Sequence, residues 1–255
     1  MQAVILCGGK GTRLREETVN VPKPLVRIGE MPVLWHIMKA YETYGVREFV
    51  LCLGYKGELI KDYFLNIRNY AGSFTVEYNR TGRRITYHDT NITGWKITLL
   101  DTGRETNTGG RLLQAAGLIK DQRFFATYGD GVCNVNIKQL HEYHLKHKRV
   151  ATLTAVRPPL PYGLLEADDG VVKNFREKPP VEGLVNGGFF VFDRKIFDYL
   201  DADCVLEEEP FRKLVNDGQL CVYEHRGFWM GMDTYKQYEE LNRMWSSGNA
   251  PWKVW

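Results

Sequence analysis

Gly8, Gly9 and Gly11, with Lys10 among them and Thr12, Arg13 and Leu14 behind, form a glycine-rich turn directly after the apolar run Ala3-Val4-Ile5-Leu6. Residues without a Cβ let backbone N–H groups approach an anion closely, and the two cations in the same turn add charge, so these residue types point to a bound polyphosphate. The spelling matches neither of two familiar phosphate loops. No Gly-Lys-Ser or Gly-Lys-Thr occurs, and no third glycine falls within Thr12 to Leu14 to complete a dinucleotide fingerprint, which disfavours hydride transfer. A plain strand-to-helix turn is the alternative reading, and it leaves the lysine, threonine and arginine without a purpose.

Further candidates lie downstream. Lys23 stands between Pro22 and Pro24, and two fixed φ angles predict a stiff, extended segment that presents the ammonium with little freedom. That suits a phosphate contact, although a connector with a solvated lysine has the same spelling. Asp130 follows the apolar run Phe124 to Tyr128 at its C-terminal end, where open α/β sheets bind ligands. Taken alone, Asp130 reads equally as a turn aspartate between glycines, and Asp233 before Thr234 equally as a helix N-cap. His141, His144 and His147 recur every third residue, but that spacing drifts around a helix and no cysteine or acidic ligand accompanies it, so no metal site is expected there. Glu207-Glu208-Glu209 before Pro210 reads as anionic decoration of a helix N-terminus and stays outside the candidate site.

The elements that must position these groups alternate in the manner of a parallel sheet covered by helices. Strands are expected at Val4 to Leu6, Phe49 to Leu53, Phe74 to Tyr78, Ile97 to Leu100, Phe124 to Tyr128, Val150 to Val156 and Leu220 to Tyr223. Helical periodicity covers Leu34 to Tyr41, Glu58 to Leu65, Leu112 to Ile119, Ile137 to Leu145, Ile196 to Leu200, Glu209 to Val215 and Tyr235 to Trp245. Gly163 to Ala167 and Val171 to Phe175 flank Asp168-Asp169-Gly170 as a hairpin, which makes the sheet mixed. Residues 79 to 95 carry three arginines with little apolar periodicity and read as an excursion from the core. The expected fold is α/β, a mainly parallel sheet flanked by helices, forming one domain over residues 1–255.

Bulk properties narrow the classes. The chain is 44% hydrophobic and 25% charged, which fits a compact globular protein and excludes a disordered or fibrous one. Its formal charge of +3 is spread along the length, so neither nucleic acid nor membrane is an expected partner. No apolar stretch approaches ~20 residues, and the N-terminus lacks a basic flank or cleavage site, which leads us to expect a cytoplasmic protein. Five cysteines, odd in number and without a CxxC pair, read as reduced, mostly structural thiols. Trp252 and Trp255 suggest that the C-terminus docks on a core or on a neighbour.

Gly8-Gly9-Lys10-Gly11-Thr12-Arg13-Leu14 followed by Pro22-Lys23-Pro24 resembles the GGxGTRL and PKP opening of the sugar-phosphate nucleotidylyltransferases. Tyr128-Gly129-Asp130-Gly131 resembles their metal-binding aspartate turn, Glu177-Lys178-Pro179 their sugar-phosphate lysine and Asn186-Gly187-Gly188 their sugar-contacting turn. Leu34-Trp35-His36-Ile37-Met38, Gly54-Tyr55-Lys56-Gly57, Thr108-Gly109-Gly110-Arg111, Phe228-Trp229, Met232-Asp233-Thr234 and Ala250-Pro251-Trp252-Lys253 are most similar to the branch that uses CTP and glucose 1-phosphate.

The resemblance implies a Rossmann-like, mainly nucleotide-binding half over residues 1–135. A sugar-phosphate half containing the hairpin would occupy 136–233, and a C-terminal helix and tail 234–255. It implies that Arg13 and the amides of Gly8, Gly9, Lys10, Gly11 and Thr12 hold the β- and γ-phosphates, Lys23 the α-phosphate and Lys178 the sugar phosphate. Arg111 would contact cytosine, with Leu6, Thr108, Gly109 and Gly129 completing the nucleotide site; Glu177, Asn186 and Gly187 would contact the sugar. Asp130 and Asp233 would share one Mg²⁺, an ion that takes one or two carboxylates together with phosphate oxygens and water. Homo-oligomeric assembly and a CDP-glucose product destined for surface polysaccharide are implied too. Cys7 in place of the usual alanine and Tyr162-Gly163 in place of Phe-Gly depart from the pattern, and the Tyr162 hydroxyl and the 79 to 95 excursion bear on the acceptor.

Overall fold

Gln2–Cys7 is buried at every position, the mark of a strand covered on both faces. The structure, a computed structural model, describes the whole chain apart from residues 10, 12, 13, 15–17 and 89–93. Gln2–Cys7 is β1 of a seven-stranded sheet with β2 (Glu48–Leu53), β3 (Lys96–Asp101), β4 (Arg123–Tyr128), β5 (Ala151–Val156), β6 (Val185–Asp193) and β7 (Leu220–Glu224), in the order β7-β5-β6-β4-β1-β2-β3. All neighbours run parallel except β6, which is antiparallel to both β4 and β5. The sheet is therefore mixed because of β6, and the Leu164–Asp168 and Val171–Arg176 hairpin stands apart as a two-stranded unit.

Successive residues of β1 point to opposite faces. Ala3, Ile5 and Cys7 pack with Leu34, Ile37, Met38 and Tyr41 of the helix Val33–Thr43, and with Leu140 and Leu241. Val4 and Leu6 pack with Leu112, Ile119, Phe190, Phe192 and Leu214 on the other face. Two core layers on one sheet leave the C-terminal ends of the parallel strands as the edge where loops can gather around a ligand.

Two expected features are corrected. Asn186-Gly187-Gly188, expected as a turn, lies inside β6, where the register against β5 shifts between Leu153 and Ala155. Gly188 at φ 71° and Phe189 at φ 51° form a bulge, so the glycines interrupt the alternation without ending the strand. Within the 79 to 95 excursion, Gly82–Tyr87 pairs antiparallel with Phe74–Asn79. Its alternation was not legible because Arg83 and Arg84 sit on a hairpin with no buried face.

The C-terminus closes on its own chain. Trp252 is 1% exposed, and its Nε1 donates to His36 Nδ1 at 3.4 Å, while His36 Nε2 donates to the Ile28 carbonyl at 2.9 Å. Trp255 packs edge-on against Trp35. Burial holds the His36 imidazole at about 4, and burial together with Arg123 does the same for His144, whose Nδ1 meets Thr152 Oγ1 at 2.9 Å. Folded-state values below the usual 6.5 mean that the unfolded chain binds these protons more readily, so the stabilisation is whole above pH 6.5 and lost as pH falls through 4. Each ring contributes at most about 3 kcal/mol to that slope. Urea midpoints should fall steeply between pH 6.5 and 4, and His144→Asn, which cannot titrate, should flatten the slope; equal slopes for both proteins would refute this assignment.

Candidate active site

Lys23 is the centre of the site. The expectation of an extended segment is corrected: Lys23, Pro24 and Leu25 make a single 3-10 turn, with Leu25 N donating to Pro22 O at 2.8 Å and Val26 N to Lys23 O at 3.0 Å. The ring-fixed φ of Pro24 is as compatible with this turn as with an extended chain. The turn buries Lys23 to 8% exposure, and its Nζ donates to Asp130 Oδ2 and Asp233 Oδ1, both at 2.7 Å. Burial pulls the ammonium pKa down, but the two carboxylates outweigh it and leave the value raised, so the group stays charged.

The two aspartates are remote in sequence and meet through a small ladder. Gly131–Cys133, just after Asp130, pairs antiparallel with Trp229–Gly231, just before Asp233, with Gly131 opposite Gly231. Met232 N donates to the Asp130 carbonyl at 2.9 Å. Gly129 N donates to Leu6 O at 3.0 Å, and a Cβ on Gly129 would stand 3.1 Å from that oxygen and from Cys7 Sγ, so a side chain there would crowd the β1 end. Asp233 does not cap the last helix: Thr234 does, in a reciprocal capping box with Gln237. That leaves the Asp233 carboxylate to the site.

A cleft of about 190 Å³ opens here between Gly9, Gly11, Lys23, Asp130 and Asp233. A second, of about 430 Å³, continues from Gly8 and Gly9 along Thr106, Thr108, Arg111 and Tyr128. Leu6 and Asp130 line both, so the two form adjoining chambers. Lys10, Thr12 and Arg13 lie outside the described residues.

Arg111 is 4% exposed and gathers loop carbonyls. Its Nη1 donates to Leu53 O at 2.9 Å, Thr102 Oγ1 at 2.7 Å and Gly103 O at 2.8 Å, and its Nη2 to Gly8 O and Arg104 O at 3.3 Å. The guanidinium thus knits the phosphate turn to the ends of β2 and β3, and it forms the wall of the larger chamber. A Cβ on Gly8 would lie no more than 2.5 Å from three guanidinium atoms, while one on Gly9 would meet nothing within 4 Å. Gly8 is therefore glycine to admit Arg111, and Gly9 is the open position that a ligand can approach.

Asn186, one of the residues expected at the sugar, lies beside Tyr128 of the larger chamber. Asn186 Nδ2 donates to the Tyr128 hydroxyl at 3.1 Å, and Gly188 N donates to Asn186 Oδ1 at 2.9 Å. The Gly187 carbonyl accepts from Trp229 Nε1 at 2.7 Å, tying the β6 bulge to the ladder that carries Asp233. Lys178, left-handed at φ 45°, follows the hairpin with its Nζ 3.3 Å from Glu177 Oε1; both residues are exposed, and neither lines the two chambers. Glu207 is a correction: its carboxylate accepts from Thr108 Oγ1 at 2.7 Å and from the Tyr128 hydroxyl. Nothing in the acidic run signalled this, because its partners, the first residue of the helix Thr108–Gln114 and the last of the strand Arg123–Tyr128, are remote in sequence.

The other features take structural roles. Burial raises the Cys7, Cys52 and Cys133 thiols, the latter two to about 12, and all five cysteines are free. His141 packs against Phe125 and His147 Nδ1 meets Tyr143 O at 2.8 Å, so the three histidines face different neighbours. Among the described residues no group of three or more His, Cys, Asp or Glu could hold a metal, and no helix is long and apolar enough to cross a membrane. The carboxylates of Asp130 and Asp233 converge on Lys23 Nζ, and such a pair of oxygen donors would suit a hard cation of the Mg²⁺ type.

Residues 2–247 match the family model described as nucleotidyl transferase. The chain is 49% identical to the probable glucose-1-phosphate cytidylyltransferase of Bacillus subtilis (strain 168) and 45% identical to the glucose-1-phosphate cytidylyltransferase of Salmonella typhi, each over 100% of both chains. Among solved structures, HddC from Yersinia pseudotuberculosis superposes with a TM-score of 0.72 at 24% identity, covering 96% of this chain and 99% of that one, a likeness of fold.

Proposed function

The chain belongs to the nucleotidyl transferase family, and on that basis we propose that it transfers a cytidylyl group from CTP to glucose 1-phosphate, giving CDP-glucose and pyrophosphate. The choice of substrates is supported by full-length similarity to two proteins that bear that activity in their names. The observation that carries the chemistry is Lys23, held between Asp130 and Asp233 where the two chambers adjoin.

A phosphate oxygen of the sugar attacks the α-phosphorus, the bond to the bridging α–β oxygen breaks, and pyrophosphate leaves with that electron pair. The acceptor already carries ≈ −1.5 to −2 charge at neutral pH, so no general base is needed. The demand is to hold two anions together and to stabilise charge as it spreads. Lys23 supplies a desolvated cation beside the α-phosphate, Arg13 and the turn amides hold the outgoing phosphates, and Lys178 swings from Glu177 to the incoming sugar phosphate. Asp130 and Asp233 would hold Mg²⁺, which supplies charge neutralisation across the phosphates. Thr108, Gly109 and the Arg111 wall take the base, with Arg111 acting chiefly by fixing the loops that shape the chamber; Glu177, Asn186 and Gly187 take the sugar. Homo-oligomeric assembly fits the same reading, since the two hairpins outside the sheet expose Tyr78, Leu165, Val171 and Phe175.

Purified protein with Mg²⁺, each nucleoside triphosphate and a panel of phosphorylated sugars should release pyrophosphate fastest with CTP and glucose 1-phosphate. Silence with every pair overturns the enzymatic reading. Faster turnover with UTP or dTTP overturns the cytidylyl assignment and leaves the chemistry standing.

A further inference from the structure

Glu207 touches both sides of the site. It lies on the exposed loop ahead of the helix Glu209–Asn216, and its two carboxylate oxygens face different partners. Oε2 accepts from Thr108 Oγ1 at 2.7 Å, and Oε1 accepts from the Tyr128 hydroxyl. The Thr108 end is anchored, since Thr108 Oγ1 also accepts from Leu206 N at 2.9 Å and the Gly109 and Gly110 amides donate to Cys204 O at 3.0 and 3.3 Å. Gly109 and Gly110 admit this loop because a Cβ on either would come within 3.0 Å of the backbone at Cys204 or Ala202. The carboxylate is thus held in place by the wall of the base chamber.

From there the direction of each hydrogen bond follows. A carboxylate only accepts, so Tyr128 must spend its single proton on Glu207. A phenol keeps its proton at neutral pH, so the hydroxyl has that one proton to give. The phenol oxygen can then only accept from Asn186, which turns Nδ2 toward Tyr128, 3.1 Å away. The same orientation puts Asn186 Oδ1 where it accepts from Gly188 N at 2.9 Å. One N–H of the Asn186 amide remains for a ligand.

We propose that Glu207 is a positioning residue for the sugar: acting through Tyr128, it orients the Asn186 amide so that it offers a donor N–H to one hydroxyl oxygen of the acceptor. This rests on the reading of Asn186 as a sugar contact. Without Glu207, the Tyr128 proton is released to seek Asn186 Oδ1, the amide has a reason to flip, and the bond to Gly188 N is lost. A site built around a hydrogen bond discriminates against ligands lacking the partner group far more strongly than apolar packing does.

Steady-state kinetics on wild type, Glu207→Ala, Tyr128→Phe and the double variant test this. Each single variant should raise KM for glucose 1-phosphate about tenfold or more, with KM for CTP within about threefold. The double variant should be no worse than the worse single one, because both cut the same chain. With 2-, 3-, 4- and 6-deoxyglucose 1-phosphates, the analogue that wild type penalises most should lose about tenfold of that penalty in Glu207→Ala, a readout that mere loosening of the loop would not move. Acceptor KM within twofold of wild type in Glu207→Ala, multiplicative losses in the double variant, or an unchanged deoxy penalty each overturn the proposal. Wild type inactive on CTP and glucose 1-phosphate would instead refute the reaction assigned above.

Discussion

Asp130→Asn is expected to cut pyrophosphate release by about 10³-fold, some 4 kcal/mol of transition-state stabilisation. The substitution keeps the shape of the side chain, and an amide oxygen can still accept from Lys23 Nζ, which stands 2.7 Å from the carboxylate and retains Asp233 as its other partner. What it removes is one of the two negative charges that would hold a divalent cation against the phosphates. Asp130 is partly exposed, so loss of its ion pair with Lys23 is largely screened, and the unfolding midpoint in urea should move by no more than about 1 kcal/mol equivalent. Activity and stability therefore separate. A rate within tenfold of wild type would remove Asp130 from the proposed metal site, and a collapse of stability would recast it as structural.

Gly8→Ala and Gly9→Ala should behave as opposites, although the residues are neighbours of one type. At Gly8 the new Cβ would be driven into the Arg111 guanidinium, and moving that group endangers five hydrogen bonds that gather Leu53, Thr102, Gly103, Arg104 and Gly8 itself. Overpacking with partial loss of charge-assisted bonds should cost at least about 3 kcal/mol. At Gly9 the Cβ would meet nothing within 4 Å, so stability should stay within about 0.5 kcal/mol. If a polyphosphate approaches the turn at Gly9, the added methyl should still lower kcat/KM for CTP about tenfold or more. Denaturant midpoints and kinetics on the pair decide this. A Gly8→Ala protein as stable as wild type would sink the account of the Arg111 clamp, and full activity in Gly9→Ala would move the approaching ligand elsewhere.

The contrast at this turn marks what was legible in the residues. Three glycines beside a strand end announce close approach, and both a ligand and Arg111 approach closely; the residue types alone did not say which glycine serves which. The strands Val4 to Leu6, Phe49 to Leu53 and Phe124 to Tyr128 were readable because each is an apolar run buried on both faces. The helix Ile137–His147 was readable because Ile137, Leu140 and His144 make one buried stripe, and Val33–Thr43 because its apolar residues recur at helical spacing even though most of the helix is buried. Val185–Asp193 was obscured by Gly187-Gly188 and the bulge they permit, and Gly82–Tyr87 by an exposed hairpin with no apolar face to set a period.

Local sequence therefore carried the chemistry: an apolar strand ending in a glycine-rich basic turn, a lysine between prolines, and aspartates at the ends of elements. Each of these is a property of a few consecutive residues, and burial or turn geometry imposes it along a single element. Which groups meet was decided by the sheet. Placing β1 beside β4 brings the glycine turn to Gly129, and pairing Gly131 with Gly231 brings Asp233 to Asp130 and both to Lys23. Glu207 reaches Tyr128 and Thr108 through the same long-range arrangement. Strand order and register arise from the packing of two whole core layers, and such packing leaves no trace in the spacing of neighbouring residues.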